Sequence, residues 1–325
     1  MVRVIWGFVP ALVGAGLLLG GVAGIVLQRS HFCTMGCVSD VVLFGSLHRL
    51  RIWALALAVA LVGSHALHAV GAVDLAASIY RRGGWLWPGI LLGAPMFGFG
   101  MVLAGGCISR NLVRLGTGSL KAFVALAVAA PAALATAQLL PSRTADWAAA
   151  PAGGQPIIAV LLATGLLVFS FGEARFRAAR PDWITGALLG LLVPVGWLAT
   201  ASLDARPDSL NYLGRDSLAF TVALAIGTVL GALVSARVRG ELRWEAFADT
   251  GDLRRHLLGG ALMGAGGTLA MGCTIGQGLT GASTVSPGSL VALLGFLAGG
   301  WRGIRYLETG RLVPSLPGGS RSAAP

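Results

Sequence analysis

Runs of roughly 20 apolar residues recur along almost the whole chain, and each is the length a helix needs to cross a bilayer. In hydrocarbon every backbone N–H and C=O has to be satisfied within the protein, which favours the helix for such a run. Composition agrees, since 11% of the 325 residues are charged and 55% are hydrophobic. A soluble domain carries about 25% charged residues, so most of this surface cannot face water. The net charge of +11 comes from arginine, with Lys121 the sole lysine. These arginines lie between apolar runs, as orienting charges do in membrane proteins, and not in a nucleic-acid-binding patch. The first run, Trp6 to Leu27, is too long for the core of a cleavable signal, and no small-residue cleavage site follows it. It reads as the first span.

The pattern predicts an all-α polytopic membrane protein of about nine transmembrane helices with short re-entrant segments and an inverted pseudo-two-fold repeat. Spans are expected near 6–28, 51–71, 86–104, 119–140, 156–172, 183–199, 217–236, 256–271 and 288–306. One transmembrane domain then covers 1–310, with repeat halves of about 1–140 and 183–310 joined by the 156–172 span, and 311–325 reads as a disordered tail. With the N-terminus outside, the inner segments hold 18 of the 24 basic residues. The outer six are Arg3, Arg81, Arg82, Arg143, Arg206 and Arg215. An N-terminus out and a C-terminus in is the orientation this asymmetry selects.

At an offset of 166, MFGFGMVLAGGCISRNL (96–112) aligns with LMGAGGTLAMGCTIGQG (262–278), and Gly98, Gly100, Leu103, Ala104, Gly106 and Cys107 meet identical partners. An odd span between two four-span halves inverts the second half relative to the first. Paired Gly-interrupted segments in such halves point to a transporter's binding site. Three segments, 29–46, 105–118 and 272–286, are too apolar for exposed loops and too Gly-rich for ordinary helices. Non-helical backbone at membrane depth survives only where protein or a water-filled cavity covers it. Close helix packing through small residues is the plainer account of the same glycines.

All four cysteines, Cys33, Cys37, Cys107 and Cys273, fall in these segments. A metal site would need closer pairs or nearby histidines, a redox enzyme would be expected to show C-x-x-C, and no phosphate-binding loop is present. No metal and no cofactor is expected. The remaining option is a line of unpaired thiols along an anion path, where the neutral thiol serves as a weak donor and a thiolate would repel the cargo. Asn111 and Gln277, each four residues after a cysteine, can donate to anionic oxygens or tie down the backbone. Arg29 and Arg110 can draw an anion inward or reach for lipid headgroups. Asp40 and Asn111 are also candidate helix caps.

The segments QRSHFCTMGCVSD, LAGGCISRNLVRLGTGSL and MGCTIGQGLTGAS resemble the YeeE/YedE family of sulfur-compound transporters, and the resemblance runs over essentially the whole chain. It implies a bacterial inner-membrane transporter, not an enzyme. In such a protein thiosulfate passes along cysteine thiols by successive S–H hydrogen bonds, without covalent attachment. Carried over by motif, Cys273 lies toward the periplasm, Cys107 near the centre and Cys33 toward the cytoplasm. Cys37 has no counterpart in that relay and packs or offers a second stop beside Cys33. The resemblance also implies a separate cytoplasmic carrier of the TusA type. Sulfite, a polysulfide or a selenium compound are alternative cargoes, and a membrane thiol–disulfide oxidoreductase built on Cys33 and Cys37 is the reading from another class.

Overall fold

The computed structural model describes residues 2–82, 87–139, 155–203, 208–213 and 218–309. The tail 311–325 and the arginines Arg143, Arg206, Arg215, Arg311 and Arg321 of the charge count lie outside the described residues, as do the side chains of Arg3 and Arg82. The helices are, in chain order, α1 (Val2–Ser30), α2 (Thr34–Phe44), α3 (His48–Ala69), α4 (Ile79–Arg82), α5 (Trp87–Leu103), α6 (Ile108–Gly116), α7 (Leu120–Leu139), α8 (Gln155–Phe171), α9 (Ala174–Ala178), α10 (Arg180–Ala201), α11 (Leu218–Arg239), α12 (Thr250–Leu269) and α13 (Pro287–Thr309). A π-helical stretch, Gly276–Gly281, lies between α12 and α13.

Each segment read as a span is helical. Among the described residues, six helical stretches are long and apolar enough to cross a bilayer. The other three explain themselves. Helix α8 is only 17 residues long, α12 opens on Asp252, Arg254, Arg255 and His256, and α13 ends with Arg302, Arg305 and Glu308. This is an all-α, multi-pass membrane bundle.

Large apolar side chains face outward and polar ones lie inside. Leu18, Leu91, Leu161, Val195 and Leu294 are exposed, whereas Ser64, Thr228, Asn211 and Gln277 are buried. Lipid tails are as apolar as leucine, so helix association depends on close packing and internal hydrogen bonds. Glycine supplies the closeness. A Cβ on Gly20 or Gly24 of α1 would strike the carbonyl oxygens of Leu224 and Thr228 on α11, and one on Gly260 or Gly264 of α12 would strike those of Ala125 and Ala129 on α7. Helix α1 packs on α11 and α10 on α3; α5 packs on α13 and α12 on α7; α5 meets α12, α1 meets α10, and α8 lies against α3.

The three unusual segments are more regular than their glycine content suggests. α2 and α6 are ordinary short helices of 11 and 9 residues, and only the third departs, into π-helix. Asp40 and Asn111 cap no helix N-terminus: cysteine holds that position in both helices, and Asp40 pairs instead with Arg49 at 3.3 Å.

Candidate functional site

Helices α5 and α12 end in the same way, and their cysteines follow directly. In α5, Gly105 N donates to Val102 O (3.2 Å) and Gly106 N to Met101 O (2.8 Å). In α12, Met271 N donates to Thr268 O (3.2 Å) and Gly272 N to Gly267 O (2.8 Å). This is the crossed hydrogen-bond pair of a Schellman stop, which needs a left-handed residue. Gly105 (φ 66°) and Met271 (φ 61°) supply it, and Gly106 and Gly272 both follow at φ 158°. The chain then re-enters helix at the cysteine, with Asn111 N donating to Cys107 O (2.9 Å) and Gln277 N to Cys273 O (2.8 Å).

Cys33, too, immediately precedes a helix, so three thiols share one local design. Cys33 is the extended N-cap of α2 and Cys107 that of α6. An N-cap is ordinarily Ser, Thr, Asn or Asp, whose oxygen satisfies a free backbone N–H. Sulfur does this weakly. Gly276 N reaches Cys273 Sγ at 3.4 Å, and Cys107 Sγ lies 3.2 Å from Ser109 Oγ. Cys37 sits one turn inside α2, its N–H bonded to Cys33 O at 3.0 Å. All four cysteines are buried and free. Cys107 is the common neighbour, within electrostatic range of Cys33, Cys37 and Cys273.

The two amides hold the turns. Asn111 Nδ2 donates to Gly106 O (2.7 Å) and Cys107 O (3.2 Å). Gln277, one methylene longer, reaches back to Ala270 O (2.6 Å) and accepts from Ser289 Oγ (2.6 Å). Of the two arginines, Arg110 is half-buried, within range of Cys33, and makes no ion pair. It lines a pocket of 570 Å³ with Gln28, His31, Arg114, Glu241 and Glu245. Arg29 is exposed at the end of α1, and its neighbours Gln28 and His31 face that pocket in its place.

Several polar groups near the thiols escaped the sequence reading. The hydroxyls of Thr34 and Thr274, each adjacent in sequence to a thiol, are buried without a partner, as are Asn111 Oδ1 and Trp197 Nε1. The Tyr80 hydroxyl faces Asn211 and lies in range of Cys273 without a hydrogen bond of regular geometry. Its ring meets Trp197 edge-on at 6.2 Å. Tyr212, also in range of Cys273 and Cys107, is bonded to Thr228 Oγ1 at 3.0 Å. Thr34 and Thr274 were visible inside the cysteine motifs. The tyrosines and Asn211 were not, because they sit on connectors. Among the described residues no cluster of His, Cys, Asp and Glu suits a metal ion, and His65 and His68 bond to the carbonyls of Leu61 and Val73.

A family model described as sulphur transport matches residues 29–302. The chain belongs to this sulphur-transport family. Two thiosulfate transporters are similar to this chain over most of its length. The thiosulfate transporter TsuA of Escherichia coli (strain K12) is 26% identical over 334 residues, covering 90% of this chain and 93% of that protein. The thiosulfate transporter TsuA of Spirochaeta thermophila is 28% identical over 327 residues, covering 89% and 97%. Membership makes the chain a transporter rather than an enzyme and a bacterial multi-pass membrane protein.

Proposed function

We propose that the chain imports thiosulfate across the bacterial inner membrane along a path in which the Cys273, Cys107 and Cys33 thiols are successive hydrogen-bonding stations. The observation that carries this reading is the set of buried donors with nothing to donate to: Thr274 beside Cys273, Thr34 beside Cys33, and Trp197 against Tyr80. A buried polar group left unpaired costs about 1–3 kcal/mol. Such groups are tolerated where a transient ligand or water completes them. An anion needs donors, and neutral ones hold it weakly enough to let it move on. Asn111 Oδ1, an acceptor, suits the S–H of a thiol. Arg110 adds a positive charge within range of Cys33, and Cys37 offers a second thiol beside it.

In this reading the nine long helices all cross the membrane, with the N-terminus periplasmic and the C-terminus cytoplasmic. Halves 1–140 and 183–310 are inverted repeats. Exchanging α1 with α10, α3 with α11, α5 with α12 and α7 with α13 turns the α1–α11 pairing into α10–α3 and the α5–α13 pairing into α12–α7, and leaves α5–α12 and α1–α10 as they are, which supports the exchange. The matching hydrogen bonds of the two cysteine turns support it again. A TusA-like carrier on the cytoplasmic side belongs to the same reading and rests on the family resemblance.

The test is uptake of labelled thiosulfate into proteoliposomes holding this protein alone. Uptake is expected in the wild type and its loss in Cys107→Ala and Cys273→Ala. Full uptake in both variants would overturn the relay. Competition by sulfite, polysulfide and selenium compounds decides the cargo, and a reversible Cys33–Cys37 disulfide with turnover would favour the oxidoreductase instead.

A further inference from the structure

Behind the Cys107 turn lies a titratable group that the thiol path does not use. His256, on the second turn of α12, is 5% exposed. Its Nδ1 lies 2.9 Å from Asp252 O and 3.1 Å from an Asp252 carboxylate oxygen, while Nε2 is buried with no partner. With Nδ1 donating to Asp252, Nε2 presents a lone pair. Nε2 lies close to the turn: a methyl group placed on Gly105 would sit 3.8 Å from His256 Nε2 and 2.8 Å from Arg114 Nη1. Arg114 is what holds the turn from this side, donating to Gly105 O at 3.3 Å and to Glu245 at 2.7 Å.

We propose that His256 is a proton-operated positioning residue for the Cys107 turn, leaving the Arg114 hold on that turn undisturbed when neutral and weakening it when charged. The groups around the imidazole set the sign. Asp252 lies on its own helix, Lys121 of α7 is bonded to Asp252 at 2.8 Å, Arg114 comes from α6, and Glu245 comes from the connector before α12. Helix α5 presents Gly100 and Ala104, neither titratable. Phe247 covers the ring edge-on at 5.5 Å. Glu245 stays ionised through the relevant range: burial opposes this, but hydrogen bonds from Ser119 and Arg114 hold its carboxyl below the usual value. A proton on Nε2 therefore faces the Arg114 guanidinium as a like charge. That repulsion loosens the stop that places Cys107.

Two readouts on the full-length protein in proteoliposomes test this. The first is maleimide labelling of Cys107, read by peptide mass spectrometry from about pH 8 to about pH 5.5. The wild-type rate is divided by that of His256→Gln at each pH, which cancels the ionisation of the thiol itself. The ratio is expected to rise about threefold on acidification, because only the wild type gains the charge. The second is thiosulfate uptake, expected to fall over the same range in the wild type and to lose that component in His256→Gln. A labelling ratio flat across the range overturns the proposal. This inference uses the reading of Cys107 as a path residue, but the labelling arm does not require thiosulfate. A rising ratio without uptake in any variant would sink the cargo and keep the switch. Should His256→Gln fail to reconstitute, Asp252→Asn decides. Removing the carboxylate beside the imidazole is expected to change the pH dependence of labelling, whereas a purely structural role for the pair leaves it in place.

Discussion

The turns at Gly105–Asn111 and Met271–Gln277 have the same backbone and opposite surroundings. The first is followed by a regular helix carrying Arg110 and Arg114, with His256 behind it. The second runs into a π-helix among Asn211, Ser289 and Tyr80, with Thr274 beside its thiol. Duplicated geometry thus carries a charged setting once and a neutral one once. In the proposed path the backbone would present the thiol and the surroundings would decide how an anion is received there, the neutral, donor-rich turn suiting entry and the turn beside Arg110 suiting delivery toward the pocket that Arg110 lines.

The largest expected effect removes the feature both turns share. Cys107→Ala and Cys273→Ala should each lower thiosulfate uptake at least tenfold while leaving thermal stability nearly unchanged, since a buried thiol behaves as a small apolar group. Serine should rescue partially, because it restores a donor without the soft sulfur. A comparison in which only one alanine variant lost uptake would break the equivalence of the turns and reduce the path to a single station.

Backbone substitution comes next. Gly106→Ala places a Cβ 2.9 Å from Arg110 Cγ, and Gly272→Ala places one no nearer than 3.3 Å to Asn211 and Gln277. Both also bear the strain of φ 158°, of order 1–3 kcal/mol. Each is expected to lower the melting temperature, Gly106→Ala the more, and salt dependence of uptake should change only there because Arg110 is displaced. Equal losses would mean that strain alone matters and the neighbours do not.

Much of this was legible from the chain. The apolar runs located the long helices to within a few residues, because in lipid the length of a hydrophobic run and the length of a helix are nearly the same quantity. The matched Gly-Cys pairs marked both turns, because the position directly after the left-handed residue, at φ 158° in Gly106 and Gly272, favours glycine. The functions of Asn111 and Gln277 were half legible. Of the two roles open to them in the sequence, the structure shows the tying of the backbone, with both nitrogens bonded to carbonyls of their own turns. Tyr80, Asn211 and Tyr212 were not legible, lying on connectors whose polarity reads as loop. His256 was hidden for another reason: its meaning depends on Gly105, 151 positions away, and no local pattern carries that.

The amides sharpen the contrast at intermediate size. Gln277→Ala strands Ser289 Oγ and Ala270 O in a buried site, while Asn111→Ala frees Gly106 O and removes an oxygen that already lacks a partner. Each unmade buried bond costs about 1–3 kcal/mol, so Gln277→Ala is expected to be the more destabilising by thermal denaturation in detergent. The reverse order would place Asn111 at the structural centre and Gln277 on the path.

Met271 marks the smallest difference and the most telling one. It stands where the first turn has Gly105, at nearly the same positive φ, a conformation that costs a side-chain-bearing residue about 1 kcal/mol or more. Met271→Gly relieves that cost but gives up a half-buried thioether whose burial contributes a comparable amount. The two terms oppose each other, so stability should shift by less than about 1 kcal/mol. If uptake is also unchanged, the second turn needs only its backbone. If uptake falls while the melting temperature holds, the thioether beside Cys273 is itself a soft contact for the passing anion. The neutral turn would then carry two sulfurs where the charged turn carries one and an arginine, each solving the same problem of holding a sulfur anion briefly.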